Sequence, residues 1–313
     1  MTTSVRRRLW NAAKGAQQRR LVFPYAAPTT PKGVEALPTN GKLGADYDTA
    51  WARRFPARFA RLTLLEGVMR PAVAALGAPE RDGIDRLTSL TDGPVIFAGN
   101  HHSHLDTPVV LTSIPEPWRH RVFVGAAADY FFRTRITSAI SALLIGAIPI
   151  ERSKVTRRSA DQAAELLDAG WSMLIFPEGG RSPDGWGQPF RGGAAYLASR
   201  CNVPVVPLHI QGTARILRKG AKLPSPANVR VTYGIPLKPL EGENATRFAE
   251  RIERAVAELA DEATTDWWQA RQRAAAGTTP RLTGPDAPAW RRAWALGDRS
   301  RKRRRQTRAW PKL

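Results

Sequence analysis

Six short apolar runs that alternate with helical segments constrain the fold of this 313-residue chain most strongly. Each run has the length of a β-strand, and the first is apolar and bounded by turn residues, as is typical of a buried strand. The runs occupy residues 94–99, 121–126, 145–150, 172–176, 203–209 and 228–233. Because helical patterns such as 159–169 and 189–200 lie between them, the sequence predicts an α/β fold with a mainly parallel central sheet flanked by helices.

A long helix is predicted after the last of these runs. Asn244 is expected to open it, and apolar residues recur at helical spacing from Phe248 to Leu259. We expect this helix to pack across the core and to continue past Trp267. The stretch 136–150 is predicted to be a core helix that leads into a strand.

A histidine and an aspartate, His101 and Asp106, follow the first apolar run in the sequence Asn-His-His-Ser-His-Leu-Asp. Five residues along one helix would separate them by roughly 140°, so a regular helix would not pair them. With His101 on a strand-to-helix turn and Asp106 inside the next helix, the carboxylate can contact the imidazole. The pair could then take a proton from a hydroxyl group.

Two other interpretations of the same residues remain open. Ser103 or Asp106 could cap the first turn of a helix. Alternatively, His102, His104 and Asp106 have the ligand spacing of a zinc-dependent hydrolase. Since the chain has five histidines, few others are left to complete a two-metal centre. The sequence therefore favours the histidine–aspartate pair.

A second candidate segment follows the run 172–176 and reads Pro-Glu-Gly-Gly-Arg-Ser, residues 177–182. Its two glycines allow a tight turn that brings the backbone close to a ligand. Arg181 could bind a phosphate or a carboxylate through its forked donors. The alternative is a surface turn with an ion pair between Glu178 and Arg181.

Four sequence blocks together resemble the 1-acylglycerol-3-phosphate O-acyltransferase family of glycerolipid acyltransferases. They are Asn-His-x-Ser-x-x-Asp at 100–106, an apolar block ending in arginine at 146–152, Phe-Pro-Glu-Gly-x-Arg-Ser at 176–182, and Val-Pro-Val-Val-Pro at 203–207. The blocks stand in the family's order and spacing, and the similarity covers roughly residues 83–236. One block would be weak support, whereas four in order are specific.

The resemblance implies a role for each matching residue. His101 would be the general base that deprotonates the acceptor hydroxyl, and Asp106 would orient it. The hydroxyl would attack the thioester of a co-substrate, acyl-CoA or acyl-carrier protein, with no cofactor and no metal. Val205 and Pro207 would lie near the acyl chain. The implied substrate-binding residues are Asn100, Ser103, Arg152, Glu178, Gly179, Gly180, Arg181 and Ser182.

The implied acceptor is a lysophospholipid, 1-acyl-sn-glycerol-3-phosphate, whose acylation gives phosphatidate. Two departures from the family pattern concern this substrate. Ala127 stands where members commonly have a lysine that helps hold the acceptor phosphate, and Gly180 stands where threonine is usual. The alternative is therefore the same chemistry on a different glycerolipid acceptor.

The charge of the chain indicates an anionic partner. Its formal net charge is +21, from 48 Lys+Arg against 27 Asp+Glu, and it contains ten tryptophans. Arginine beside tryptophan suits the headgroup region of an anionic membrane surface. No nucleic-acid-binding motif is present in the sequence, so we expect no nucleic-acid partner. A non-catalytic protein that binds anionic lipid is a further alternative.

The chain divides into four segments by composition. Residues 1–45 form a basic, proline-containing segment that we expect to be flexible, and 277–313 form a basic tail rich in tryptophan and arginine. Residues 81–276 would be the acyltransferase domain. Residues 46–80 would be an amphipathic helical segment that docks on the membrane, with kinks at two prolines; the alternative is a helix that packs on the core by its apolar stripe. Its apolar residues recur every three or four positions: Trp51, Phe55, Phe59, Leu62, Leu65 and Met69.

No apolar run has the length needed to cross a bilayer, and no secretory signal is recognisable. The sequence therefore predicts a peripheral or monotopic protein at the cytoplasmic side of a membrane.

Overall fold

The computed structural model describes residues 43–90, 93–151, 157–181, 185–216 and 223–284. Within these ranges the strands are β1 (Glu80–Asp82), β2 (Ile96–Gly99), β3 (Val122–Ala127), β4 (Ala147–Ile150), β5 (Ser172–Ile175), β6 (Val205–Gln211) and β7 (Arg230–Tyr233). The α-helices there are α1 (Ala57–Leu64), α2 (Arg70–Gly77), α3 (Asp106–Ser113), α4 (Ala128–Phe131), α5 (Arg135–Leu144), α6 (Arg157–Asp168), α7 (Gly193–Cys201), α8 (Thr213–Ile216), α9 (Ala245–Thr264) and α10 (Trp267–Ala276).

The seven strands form one sheet in the order β1-β7-β6-β2-β5-β3-β4. The five strands from β6 to β4 run parallel, β7 pairs antiparallel with β6, and β1 pairs parallel with β7. All six predicted runs are strands, and the predicted α/β class with a mainly parallel sheet is confirmed. Strand β1 was not predicted, because its three residues are charged and exposed.

Alternate residues of β2 enter two apolar layers. Phe97 packs on one side with Leu174 and Tyr233, and Ile96 packs on the other with Met173. A parallel sheet is normally covered on both faces in this way, which explains why its strands read as continuous apolar runs.

The parallel strands bring two loops to one edge of the sheet. β2 and β5 are direct neighbours, with Ala98 opposite Ile175. The segments that follow them, starting at Asn100 and Phe176, therefore emerge side by side at the carboxyl ends of the strands. Open α/β sheets commonly bind ligands at this edge.

The predicted single helix after Asn244 is in fact two helices. Asn244 caps α9 by accepting a hydrogen bond from the amide of Arg247, as expected for the first residue. The predicted continuation past Trp267 is wrong, because α9 ends at Thr264 and Asp266 caps α10 by accepting from the Gln269 amide. The stretch 136–150 is helix followed by strand, as predicted, but the predicted core position of the helix is wrong, because Ile136 is 72% and Ile140 is 51% exposed.

The N-terminal helical segment is α1, a short π-helical stretch at Leu65–Met69, and α2. Pro56 precedes α1, but Pro71 lies in the first turn of α2 and ends no helix. The predicted apolar stripe divides between two faces. Phe55 is 83% exposed and Phe59 is 61% exposed, whereas Leu65 lies in the core.

None of the described helices is both long and apolar enough to cross a membrane. The predicted terminal segments, 1–45 and 277–313, lie mostly outside the described residues.

Candidate active site

His101 and Asp106 are in contact at the carboxyl edge of the sheet. His101 follows β2 by two residues, and Asp106 is the first residue of α3. His101 Nδ1 lies 2.9 Å from Asp106 Oδ2, and the Asp106 side chain is buried while that of His101 is 17% exposed. The predicted contact is therefore confirmed. Because Nδ1 faces the carboxylate, Nε2 is the ring nitrogen available to exchange a proton with a substrate.

Both carboxylate oxygens of Asp106 accept further hydrogen bonds. The backbone amides of His102 and Ser103 donate to Oδ2 over 2.7 and 2.8 Å. The hydroxyl of Thr213, the first residue of α8, donates to Oδ1 over 2.5 Å. These donors fix the carboxylate in one orientation, and the carboxylate in turn fixes the imidazole of His101.

The loop after β5 holds His101 from a second direction. The Phe176 ring stacks on the His101 ring, with centroids 4.3 Å apart and planes inclined by 13°. The buried Glu178 carboxylate accepts two hydrogen bonds from backbone amides. The amide of His101 donates to one oxygen over 2.8 Å, and the amide of Gln188 donates to the other over 2.9 Å. Burial raises the pKa of Glu178 to about 7, although the two amide donors oppose this rise.

Glu178 therefore ties the two loops of the site together. Both of its oxygens are used by backbone amides, and no ion pair joins it to Arg181, although both residues are described. The surface-turn alternative thus lacks its ion pair. A direct contact of Glu178 with a substrate stays a prediction.

Asn100 and Ser103, predicted to bind the substrate, have their side chains bonded to the protein backbone. The fully buried Asn100 amide donates to the carbonyl of Ile210 over 2.9 Å and accepts the amide of Ile210 over 2.8 Å. Ser103 Oγ accepts the amide of Leu105 over 3.3 Å. Both residues position the turn that carries His101, and their contact with a substrate stays a prediction.

The glycines of the second segment differ in what they require. Gly179 has φ +71°, and a Cβ there would lie 3.0 Å from the Arg191 guanidinium. A Cβ at Gly180 would meet no atom within 4 Å, so the threonine usual in the family would fit there. Arg181 is exposed, and its carbonyl accepts from the Gln188 side chain over 3.4 Å. Arg152 and Ser182, also predicted to bind the substrate, lie outside the described residues.

Part of the chain is similar to known acyltransferases. Residues 81–211 match the family model described as Acyltransferase. The chloroplastic 1-acyl-sn-glycerol-3-phosphate acyltransferase of Brassica napus is 32% identical over 180 residues, which are 56% of this chain and 49% of the relative. Residues 81–211 of this chain are therefore similar to the acyltransferase family.

A second relative matches over a similar range. The chloroplastic enzyme of Arabidopsis thaliana is 30% identical over 188 residues, 58% of this chain and 48% of the relative. This chain thus spans about half the length of the curated relatives it matches. The crystal structure of the 1-acyl-sn-glycerophosphate acyltransferase of Thermotoga maritima has the same fold, with a TM-score of 0.54 and 24% identity over 67% of this chain and 82% of the other.

At the position of the acyltransferase family's lysine, Ala127 ends β3 and carries no charge. Beyond it, Tyr130 stacks on His104 with ring centroids 5.4 Å apart, and its hydroxyl lies 3.3 Å from His104 Nε2. Burial lowers the pKa of His104, and the nearby charge of Arg181 lowers it further. This aromatic pair had no signal in the sequence, because its partners are 26 residues apart.

The residues predicted near the acyl chain, Val205 and Pro207, are both buried in β6. Pro207 pairs with Ala98, close to the carboxyl end of β2, whereas Val205 pairs with Ile96 at the amino end. Pro207 is therefore the nearer of the two to His101, and the acyl-chain role of both stays a prediction.

Two buried groups behind the dyad were not predicted. Thr213 could not be foreseen from sequence, since it lies 107 positions from Asp106. His209, on β6, is buried, and its Nδ1 has no hydrogen-bond partner. Burial lowers the pKa of His209 to about 4, helped by nearby His102. Among the described residues no group of three metal-ligating side chains is suitably arranged, so the zinc alternative gains no geometric support.

Proposed function

We propose that this acyltransferase moves an acyl group from a thioester donor to the free hydroxyl of a lysophospholipid. The observation that carries the proposal is the contact of His101 Nδ1 with the buried Asp106, which leaves Nε2 free to meet a substrate. The names of the relatives support 1-acyl-sn-glycerol-3-phosphate as acceptor. A purely lipid-binding protein would have no use for an oriented imidazole.

In the proposed mechanism, Nε2 of His101 takes the proton of the acceptor hydroxyl as its oxygen attacks the thioester carbonyl. A tetrahedral intermediate forms and collapses with cleavage of the carbon–sulfur bond. The imidazolium then returns its proton to the leaving thiolate. Asp106 stabilises the imidazolium between these steps, so the ester and the free thiol leave a neutral histidine.

The anionic head of the acceptor is proposed to meet Arg181, which is exposed on the loop beside the dyad. Arg152 is proposed for the same role on the basis of the family motif. Because Ala127 supplies no charge, the arginines would hold the acceptor phosphate without the family's lysine. The donor, acyl-CoA or acyl-carrier protein, is proposed from the resemblance.

An acceptor panel tests this function. Full-length protein would receive labelled long-chain acyl-CoA or acyl-carrier protein together with lysophosphatidate, lysophosphatidylcholine or monoacylglycerol. We expect product with lysophosphatidate, and a rise in its KM of about tenfold in Arg181→Ala, since a charge-assisted contact contributes about 1.5–3 kcal/mol. Arg254→Ala, which removes an exposed arginine on α9, is the matched control.

If product forms only with another acceptor, the assigned substrate changes and the proposed acyl-transfer chemistry stays. The absence of product from every donor and acceptor pair would contradict the proposed function.

We also propose that the protein docks on an anionic membrane surface through the outer face of α1 and the turn that precedes it. Phe55 and Phe59 are exposed there, and Arg54 and Arg58 flank them. Apolar anchors with adjacent cations are the pattern of an interfacial helix. The predicted cytoplasmic side stays a prediction.

A further inference from the structure

A small cavity lies between α1 and the edge of the sheet opposite the candidate active site. It encloses about 40 Å³ and is lined by Arg58, Arg61, Leu62, Leu65, Arg119 and His120. Arg61 donates to the carbonyl of Val122 over 2.7 Å and to that of Ile145 over 3.4 Å, at the amino ends of β3 and β4. The catalytic dyad lies at the carboxyl ends of the parallel strands, so the two sites are distinct.

Arg61 is a buried cation without a counter-ion. It is only 6% exposed, and its Nε has no hydrogen-bond partner. No carboxylate of the described ranges lies within ion-pair distance of it. Burial, together with the neighbouring charges of Arg53 and Arg58, lowers the pKa of Arg61 to about 10. A buried charge in this state is costly unless an anion compensates it.

The other basic groups of the cavity already face carboxylates. Arg119 lies 3.6 Å from Glu66 and 3.3 Å from Glu116, and His120 lies 3.5 and 3.2 Å from the same two residues. The uncompensated positive charge of the cavity therefore comes from the arginines of α1.

The surrounding residues hold these arginines in place. Gly146 has φ +64°, and a Cβ there would lie 2.8 Å from the guanidinium carbon of Arg61, so only glycine leaves room for it. The Arg58 guanidinium lies over the Trp171 ring, 5.6 Å from its centroid. Both guanidinium groups are thus oriented before any ligand arrives, which lowers the entropic cost of binding one.

We propose that this cavity binds an oxyanion of the phosphate class between Arg58 and Arg61. Planar guanidinium groups match the oxygens of a phosphate, and the cavity has room for one such group. The bound phosphate is either part of a lipid headgroup or a free phosphate ion. Leu62, which lines the cavity and is 40% exposed, connects the site to the outer face of α1.

The test is a titration of the full-length protein with inorganic phosphate at constant ionic strength, with chloride as the reference salt. Binding is followed by calorimetry and by the rise in Tm that a ligand specific for the folded state produces. We expect saturable binding that Arg58→Gln weakens by at least about tenfold, because the change removes a charge-assisted hydrogen bond. Because Arg58 is exposed, this variant should fold.

Arg254→Gln is the matched control, because Arg254 is also exposed but lies on α9 and does not line the cavity. It should keep the phosphate affinity of the wild type. Equal affinities in Arg58→Gln and Arg254→Gln, or no saturable binding beyond that of chloride, would overturn the proposal.

A second measurement identifies the source of the phosphate. Binding to vesicles of phosphatidylglycerol in phosphatidylcholine would be measured with and without inorganic phosphate, at fixed ionic strength. Competition that disappears in Arg58→Gln would support a lipid headgroup as the ligand. Saturable phosphate binding without such competition would support a free anion in the same cavity.

Discussion

At the scale of single residues, the site is a set of hydrogen bonds that converge on one carboxylate. Asp106 is hydrogen-bonded to His101, to two backbone amides and to the Thr213 hydroxyl. Glu178 accepts a hydrogen bond from the backbone amide of His101 in the same turn. The dyad could be predicted because its members lie five residues apart in one block. Thr213 could not, since only the pairing of β6 with β2 brings it there.

Thr213→Val is expected to lower kcat about tenfold while KM stays near the wild-type value. The change removes a charge-assisted hydrogen bond of about 1.5–3 kcal/mol and lets the Asp106 carboxylate rotate away from His101. The measurement is steady-state acyl transfer across a pH series. Thr213→Ser keeps the hydroxyl and should recover most of the rate, and a fall in both variants alike would point to packing instead.

His209 is expected to make the fold acid-sensitive. Its pKa is about 4 in the folded protein and lies below its unfolded value, so the folded state binds fewer protons between them. The contribution of His209 to stability is therefore present above the unfolded pKa of about 6.5 and is lost as the pH falls toward 4. Urea unfolding of the wild type and His209→Leu at pH 7 and pH 5 would measure it.

The His209→Leu variant should lose less stability between these two pH values than the wild type does. An identical loss in both proteins would exclude His209 as the source of acid sensitivity.

At the scale of elements, the sequence predicted those strands and helices that have a characteristic apolar periodicity or composition. The apolar runs of the parallel sheet are strands because each is covered on both faces. β1 was missed since its charged residues are held by pairing and by the 2.8 Å ion pair between Arg230 and Glu80. The break before Trp267 was missed because the helical pattern of the sequence continues through Asp266, the residue that caps α10.

The N-terminal helical segment carries both a core face and a docking face, and each can be tested separately. We expect the double variant Phe55→Ser with Phe59→Ser to bind anionic vesicles at least about tenfold more weakly, since each buried aromatic ring contributes about 1.5–3 kcal/mol. Both rings are exposed, so Tm should change little. Vesicle sedimentation measures the effect.

Ile136→Ser on α5 is the control for this docking test, because Ile136 is also exposed, at 72%, on a different helix. Unchanged vesicle binding in the double variant would contradict docking through α1.

At the scale of the whole molecule, the order of strands could not be predicted from the chain alone. Consecutive runs are not always neighbours: β2 lies between β5 and β6, and β7 reverses direction against β6. These pairings decide which loops meet, and they bring the segment after β5 onto the segment after β2. The His101–Asp106 pair could thus be predicted from the sequence. Its contacts with Phe176, Glu178 and Thr213 depend on the order of the strands in the sheet.

The central claim is that His101 acts as a base for acyl transfer without a metal. The most direct test is single-turnover transfer from labelled acyl-CoA to lysophosphatidate in EDTA, comparing wild type, His101→Ala and His104→Gln. We predict that His101→Ala lowers the rate about a thousandfold, as the loss of a general base does, with Tm near the wild-type value. His104→Gln should keep most of the activity. Near wild-type turnover in His101→Ala, or loss of all activity in EDTA, would contradict the claim.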